Sequence, residues 1–239
     1  MRILITNDDG IEALGIKLLV EWAKKLGEVT VVAPKVEQSG KSHGIELMRP
    51  MEVQKRDIFD GIEAYSVDST PADCVRFGVR GLKKEYDLIL SGINRGANMG
   101  KDIVYSGTVG AIMEATVWGI NALALSTFPD SLEAAAKQLD TVYDYVTSNS
   151  LFDLNPIYNI NIPANADGIC ITRQGESCYT DEFVCVEGDN WKQVGVFVPD
   201  KDMTDMTLDA VAALNGKISI TPMQSSRTNI EVFKSLLSK

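Results

Sequence analysis

The first ten residues constrain the fold of this chain more than any other stretch. The aliphatic run Ile3–Ile5 is followed at once by the turn-forming residues 7–10 (Asn-Asp-Asp-Gly), and apolar residues then recur at helical spacing from Ala13 to Leu26. A second β-branched run, Val29–Ala33, completes a strand–helix–strand unit. Because such units build parallel sheets, the sequence predicts an α/β protein.

Asp8 and Asp9 stand directly after the first predicted strand. Ligands of parallel sheets bind outside the carboxyl ends of the strands, and two adjacent carboxylates there repel each other unless a positive charge lies near them. A divalent cation that prefers oxygen ligands, such as Mg²⁺, would provide that charge. A simpler interpretation is that one aspartate caps the following helix while Gly10 relaxes the turn. These residues alone leave both interpretations open.

Two further polar loops follow predicted strands. Pro34–Gly44 comes after the second strand, and Ser91–Thr108 comes after the apolar strand Asp87–Leu90. Glycines in the second loop let backbone N–H groups approach an anion, and Ser106-Gly107-Thr108 stands where a helix begins, a position that favours phosphate. The alternative is that Ser106 or Thr108 serves only as a helix N-cap. Since three such loops would meet at one edge of the sheet, the sequence favours a binding site there.

The remaining pattern divides the chain in two. Residues 1–150 alternate strands and helices, whereas residues 151–239 contain short strands, a hairpin and a closing helix, so we predict a body over 1–150 and a smaller C-terminal part over 151–239. The other predicted elements are a hairpin of Ile45–Met48 with Met51–Gln54, the strand Glu63–Val67, a helix over Thr70–Arg80, the strand Asn121–Ser126, one helix over Ser131–Thr147, the strands Tyr158–Ile162, Gly168–Thr172 and Lys217–Ile220, and the helices Asp205–Leu214 and Asn229–Leu237.

A predicted hairpin in the C-terminal part is rich in apolar residues. It pairs Glu182–Glu187 with Gln193–Val198. In an isolated subunit its phenylalanine and valine side chains would stay exposed, and contact with another subunit is the simplest way to cover them. We therefore expect a homodimer or a homotetramer.

Charge and cysteine content narrow the function classes. The net charge of −10 argues against a protein that wraps nucleic acid, and it means that an anionic substrate must be held by a local cation. No apolar stretch is long enough to span a membrane, and we expect no signal peptide because the chain begins with a core strand. The four cysteines form no CxxC pair, which favours thiols in a reducing compartment. We therefore expect a cytoplasmic protein.

Several segments, taken in order, resemble one known family. The segments ILITNDDG, VVAPKVEQSG, STPADCV, SGINRGANMGKDIVYSGTVGA, NINIP and ISITPM are similar to those of the SurE family, the stationary-phase survival proteins. The resemblance extends from residue 1 to about Thr228. It implies a Rossmann-like parallel-sheet body, a smaller C-terminal part that contributes to oligomers, and a metal-dependent phosphohydrolase (5′-nucleotidase) that acts on nucleoside monophosphates.

The resemblance also implies the residues of the site. One divalent ion, Mg²⁺ or Mn²⁺, would be held in each subunit by Asp8, Asp9, Ser39 and Asn94, and the substrate phosphate would lie against Asn98 and Ser106-Gly107-Thr108. Such an all-oxygen ligand set suits these ions and does not suit zinc. Such an ion can activate a water for attack on phosphorus, and Asp8 or Asp9 could orient that water as a general base.

Two other functions compete with this hypothesis. A dinucleotide-binding Rossmann module is one, although the first strand–helix turn has Asn-Asp-Asp-Gly in place of a Gly-x-Gly-x-x-Gly motif. A non-catalytic interaction subunit with a purely structural aspartate pair is the other. The single histidine, His43, is a tempting general acid, but a surface or hairpin role is favoured for it.

Overall fold

A computed structural model of the chain describes residues 1–198 and 202–238. Within these ranges the strands are β1 (Arg2–Thr6), β2 (Glu28–Pro34), β3 (Val53–Arg56), β4 (Glu63–Val67), β5 (Leu88–Arg95), β6 (Asn121–Thr127), β7 (Ile157–Asn161), β8 (Ile169–Ile171), β9 (Tyr179–Glu187), β10 (Asn190–Phe197) and β11 (Ile218–Pro222). The helices are α1 (Leu14–Ala23), α2 (Pro71–Arg76), α3 (Gly107–Val117), α4 (Leu132–Ala136), α5 (Leu139–Ser148), α6 (Leu151–Leu154), α7 (Asp209–Leu214) and α8 (Ile230–Leu237).

The described strands form one large sheet and one separate hairpin. The sheet has the order β3-β4-β2-β1-β5-β6-β7-β11-β8. Its central strands run parallel, while β3 and β11 pair antiparallel with β4 and β7. The predicted α/β fold with a parallel sheet is therefore confirmed.

The middle of β1, residues Ile3–Ile5, is apolar because both faces of the sheet are covered there. Ile3 and Ile5 pack into one core cluster with Leu19 of α1, while Leu4 packs into a second cluster with Ile112 of α3. Side chains alternate across a strand, so neighbouring residues of β1 enter opposite layers. This buried central strand fixes the position of the residues that follow it, Asn7–Gly10.

Two predicted elements are wrong, and a third, the helix predicted over Asp205–Leu214, begins only at Asp209. Residues 45–48 form no strand, and β3 pairs with β4 instead. The backbone N–H of Glu46 donates to Asp73, and the carboxylate of Glu46 accepts from the N–H of Met48, so side chains satisfy donors that a strand would have used. The single helix predicted over residues 131–147 is divided into α4 and α5, since Gln138 leaves helical geometry and donates to the carbonyl of Pro163.

The main sheet continues past Ser150, because β7, β8 and β11 all belong to it. The predicted division of the chain at residue 150 remains a prediction, and the two parts share one sheet. The hairpin of β9 and β10 stands outside this sheet with every residue exposed, and α8 has no buried residue. None of the helices in residues 1–198 and 202–238 has both the length and the apolar character needed to cross a membrane.

Candidate active site

A cleft of about 980 Å³ lies where β1, β2 and β5 end. Parallel strands present their carboxyl ends at the same edge of a sheet, so the loops that follow these three strands meet there. The cleft brings together most of the site residues predicted from the sequence, namely Asp8, Asp9, Ser39, Asn94, Asn98 and Ser106.

Asp8 is nearly buried and is held by the start of α3. Asp8 stands two residues after the end of β1, and only 5% of the residue is exposed. Its Oδ1 accepts a hydrogen bond from Thr108 Oγ1 at 2.5 Å, and its Oδ2 accepts one from the Thr108 backbone N–H at 3.2 Å. Burial raises the pKa of Asp8 to about 6 even though the Thr108 bonds act in the opposite direction.

Asp9 is more accessible and faces the loop after β5. Its Oδ2 accepts a hydrogen bond from the backbone N–H of Arg95 at 3.0 Å. Burial raises the pKa of Asp9, and the nearby charge of Glu37 adds to this effect. Burial thus makes both adjacent carboxylates less stable in their charged form than they would be in water.

Ser39 and Asn94 present neutral oxygens to the same cleft. Ser39 Oγ donates to Glu37 Oε1 at 2.6 Å, and Asn94 Nδ2 donates to the carbonyl of Gly96 at 2.6 Å. Ser39 thus uses its only hydroxyl hydrogen and Asn94 uses one of its two amide hydrogens, while the oxygen lone pairs of both side chains remain to bind a cation. We call Asp8, Asp9, Ser39 and Asn94 the oxygen cluster.

The oxygen cluster fits a hard divalent cation. Its donors are oxygen atoms only, two of them from adjacent carboxylates whose charged forms are destabilised by burial. In the part of the chain that the structure describes, no three histidine, cysteine or acidic residues group together in a way that could hold a metal. An ion at this cleft would therefore rely on the two carboxylates together with neutral oxygens.

The turn that opens α3 contacts Asp8 as well as the cleft. Ser106 lines the cleft and caps the helix, because its Oγ accepts from the Val109 N–H at 3.1 Å. Gly107 and Thr108 lie behind it, and a Cβ at Gly107 would stand 3.0 Å from Asp8 Cβ. Thr108 thus bonds to Asp8, and Gly107 lies against Asp8 and Pro71, while the predicted role of both residues against phosphate remains a prediction.

Other cleft residues had not been predicted from the sequence. Tyr179, Asp181 and Gln193 of the β9–β10 hairpin line the cleft together with Tyr105 and Arg95. Arg95 supplies a cation at this otherwise acidic edge. No local pattern distinguishes the hairpin residues, because their place in the cleft depends on how the hairpin lies relative to the main sheet.

His43 does not line the cleft. It is half-buried, and its Nε2 lies 2.8 Å from Oε2 of Glu114 on α3. The other oxygen of Glu114 accepts a hydrogen bond from Arg76 at 3.0 Å. His43 therefore joins the loop after β2 to α3, outside the group of residues predicted to bind metal and phosphate.

Comparison with known proteins shows which family this chain resembles. Residues 3–181 match the family model described as Survival protein SurE. The chain is 39% identical to the 5′-nucleotidase SurE of Syntrophotalea carbinolica over 99% of this chain and 96% of that protein. It is 38% identical to the 5′-nucleotidase SurE of Thermosipho africanus with the same coverage, 99% and 96%.

The fold of a solved relative agrees with this match. The crystal structure of SurE protein from Aquifex aeolicus superposes with a TM-score of 0.82 at 34% sequence identity, and the alignment covers 100% of both chains. The similarity therefore includes the C-terminal part as well as the parallel sheet.

Proposed function

The chain belongs to the SurE family, and on that basis we propose that it is a metal-dependent 5′-nucleotidase that releases phosphate from nucleoside monophosphates. The observation that carries the proposal is the oxygen cluster, which lines one cleft together with Asn98 and Ser106. A dinucleotide-binding function is not favoured, because the first strand–helix turn presents two carboxylates where a dinucleotide would need glycines.

Asp8, Asp9, Ser39 and Asn94 would hold one Mg²⁺ or Mn²⁺ in each subunit. When bound, such an ion polarises a phosphoryl oxygen and lowers the pKa of a water molecule. It also compensates the two carboxylates, whose pKa values burial raises in the protein alone. This compensation is the physical reason for expecting tight binding of an ion at this edge.

The two carboxylates are suited to different tasks. Both oxygens of Asp8 accept hydrogen bonds from Thr108, which fixes the carboxylate and suits it to act in catalysis as a ligand of the ion. Asp9 accepts a described protein hydrogen bond only at Oδ2, from Arg95, so its Oδ1 is available to orient the attacking water as a general base. Both residues are therefore assigned to catalysis, with Asp9 closer to the proton transfer.

The phosphate would lie between the oxygen cluster and the start of α3. Ser106 and Asn98 line this part of the cleft, and free N–H groups at a helix N-terminus favour an anion. Gly107 and Thr108 complete the helix start, and they act on the substrate through Asp8 in addition to any direct contact. Hydrogen-bond donors here would stabilise the charge that develops on the phosphoryl oxygens.

The protein is proposed to work as a homodimer or homotetramer. The hairpin exposes Phe183 and Trp191 to 66% and 64%, and α8 exposes an apolar face that includes Phe233 and Leu237. A second copy of this chain would cover these surfaces. Cys74, Cys170 and Cys185 carry free thiols, which is consistent with the cytoplasm as the compartment of the reaction.

The proposal is tested by phosphate release from a panel of nucleoside monophosphates. Purified protein is assayed in EDTA and again after addition of Mg²⁺ or Mn²⁺, with Asp8→Asn as the control for a contaminating phosphatase. We expect release only with metal and only from the wild-type chain. Release that is unchanged in EDTA, or that Asp8→Asn retains, would exclude the proposed metal site.

A further inference from the structure

Two asparagines are buried in the interior of the main sheet. Asn159 and Asn161 lie on β7 and both are 0% exposed. A buried amide destabilises the fold unless its polar atoms find partners, so side chains of this kind in a buried strand require a reason. They belong to the segment NINIP, for which the sequence offered no role beyond family resemblance.

The amide groups of both asparagines donate to a single carbonyl. Asn159 Nδ2 and Asn161 Nδ2 each lie 2.8 Å from the backbone oxygen of Asn98. The backbone N–H of Asn98 in turn donates to Asn161 Oδ1 at 2.8 Å. Asn161 therefore binds both polar backbone groups of Asn98, much as a neighbouring strand would.

The side chain of Asn98 is oriented by the strand next to β7. Its Nδ2 donates to Ser126 Oγ at 2.8 Å, and Ser126 on β6 pairs directly with Asn161. Asn98 itself stands in the segment between β5 and the 3₁₀ turn Gly100–Tyr105, outside any strand. The backbone of Asn98 is thus held by side chains of the sheet, and not by backbone hydrogen bonds to a neighbouring strand.

We propose that Asn161, assisted by Asn159, is a positioning residue that fixes Asn98 in the orientation needed to bind the substrate phosphate. This inference rests on the proposed nucleotidase function. A binding group held in place before the substrate arrives loses less conformational freedom on binding, and a displacement of about 1 Å can reduce a rate substantially. The spacing of two residues places both asparagines on the same face of β7, which is why the two amides can reach one carbonyl.

The two asparagines make different numbers of hydrogen bonds to Asn98, so their variants can be compared with each other. Asn161→Ala removes two hydrogen bonds to Asn98, whereas Asn159→Ala removes one. In the described residues Asn159 Oδ1 has no hydrogen-bond partner. We therefore expect the affinity of the Mn²⁺-loaded protein for inorganic phosphate to fall by about tenfold to a hundredfold in Asn161→Ala and by less in Asn159→Ala.

Ser219→Ala is the matched control for a buried polar substitution. Ser219 pairs with Asn161 across β11 and β7, and its buried Oγ has no partner in the described residues. Phosphate affinity should stay at the wild-type value in this variant. Mn²⁺ affinity, measured by calorimetry, should stay at the wild-type value in all three variants, because the oxygen cluster lies on β5 and on the segments that follow β1 and β2.

Hydrogen exchange provides a readout that does not depend on activity. In metal-free protein the backbone amide of Asn98 should be protected in the wild-type chain and in Ser219→Ala, and should exchange faster in Asn161→Ala. A purely structural role for Asn161 would lower the melting temperature and leave both phosphate affinity and KM unchanged. Unchanged phosphate affinity and KM in a variant whose Asn98 amide exchanges faster would overturn the inference.

A double-mutant cycle keeps the inference testable if Asn161→Ala folds poorly. Asn161→Asp keeps the shape and the acceptor for the Asn98 N–H, and it loses the donor to the Asn98 carbonyl. If Asn161 acts through Asn98, Asn161→Asp should change KM much less in an Asn98→Ala background than in the wild-type background. Equal effects in both backgrounds would overturn the inference. Absence of nucleotide turnover in the wild-type chain would instead refute the proposed function.

Discussion

The oxygen cluster and the β9–β10 hairpin both line the cleft, yet the single chain stabilises them in different ways. Asp8 is buried, hydrogen-bonded to α3 and placed by a central strand of the sheet. Every residue of the hairpin is exposed, and its apolar side chains have no cover in the described chain. In the proposed function, one side of the cleft binds a cation, and the other side is covered by a second copy of the chain.

This contrast shows that the two regions tolerate different changes. At the oxygen cluster, we expect a substitution that removes charge to relieve repulsion and to abolish the proposed chemistry at the same time. At the hairpin, we expect a substitution that adds charge to change the proposed association and to leave the fold of the subunit intact, since surface positions contribute little to stability. Stability and function should therefore be opposed at the first region and separable at the second.

The largest expected effect comes from neutralising either carboxylate. Asp8→Asn and Asp9→Asn should each lower the rate of phosphate release by about a thousandfold or more, because several kcal/mol of electrostatic stabilisation are lost. Neither variant should melt below the wild-type protein in EDTA. Initial rates with Mn²⁺ measure the activity, and thermal melting in EDTA measures the stability. A variant that keeps its activity but melts at a lower temperature would contradict the proposed opposition of stability and function at the oxygen cluster.

The pH dependence of stability tests the same contrast without an assay of activity. Burial raises the pKa of Asp8 from 3.8 to about 6, so the folded chain holds this proton more tightly than the unfolded chain. Metal-free protein should therefore lose up to about 3 kcal/mol of stability from Asp8 as the pH rises from about 4 to above 6. Asp8→Asn lacks this loss. The melting temperature of the wild-type protein should therefore fall relative to that of Asp8→Asn as the pH rises through this range, and the difference between the two should stay constant below it. Added Mn²⁺ should stabilise the wild-type protein more than the variant.

Gly107→Val tests how closely α3 is joined to Asp8. A Cβ at Gly107 would lie 3.0 Å from Asp8 Cβ and 3.1 Å from Pro71 Cγ, so a valine there forces a shift that costs about 1–3 kcal/mol. We expect weaker Mn²⁺ binding together with weaker nucleotide binding. Gly96→Ala is the control in the same cleft, since its Cβ would meet only Asn94 Nδ2 at 3.6 Å. Loss of nucleotide binding with normal Mn²⁺ binding would instead support a direct phosphate contact at Gly107.

The smallest effect on the single subunit is expected at the hairpin. Phe183→Glu and Trp191→Glu should weaken self-association by about tenfold or more each, because each side chain buries its apolar area only against a partner. The melting temperature of the dissociated subunit should change little. Sedimentation equilibrium measures the association constant, and a wild-type chain that is monomeric at micromolar concentration would remove the basis for the comparison.

Much of the fold and part of the site could be predicted because the signals are local. The strand β1, the turn after it and the helix α1 follow from apolar spacing and turn-forming residues within a single stretch. Thr70 and Asn229 were placed correctly at or next to helix starts, and both cap helices through their side chains. Such features depend on residues a few positions apart, which a sequence displays directly.

The features that could not be predicted depend on distant residues. The break between α4 and α5 follows from a bond between Gln138 and the carbonyl of Pro163. The link from Thr108 to Asp8 spans 100 positions, and the role of Asn161 depends on a loop 63 positions earlier. Side-chain bonds of this kind have no periodicity, so only the packed structure shows them.

The place of the hairpin in the cleft has a thermodynamic consequence. Tyr179, Asp181 and Gln193 line the cleft from the same hairpin whose exposed apolar side chains would be covered by a second copy of the chain in the proposed oligomer. If bound substrate and the second copy both hold the hairpin in place, then substrate binding and subunit association are linked by one coupling free energy. Nucleotide would then raise the association constant of the subunits, and dilution of the protein would weaken nucleotide binding by the same factor. The apparent KM of this enzyme would depend on its own concentration.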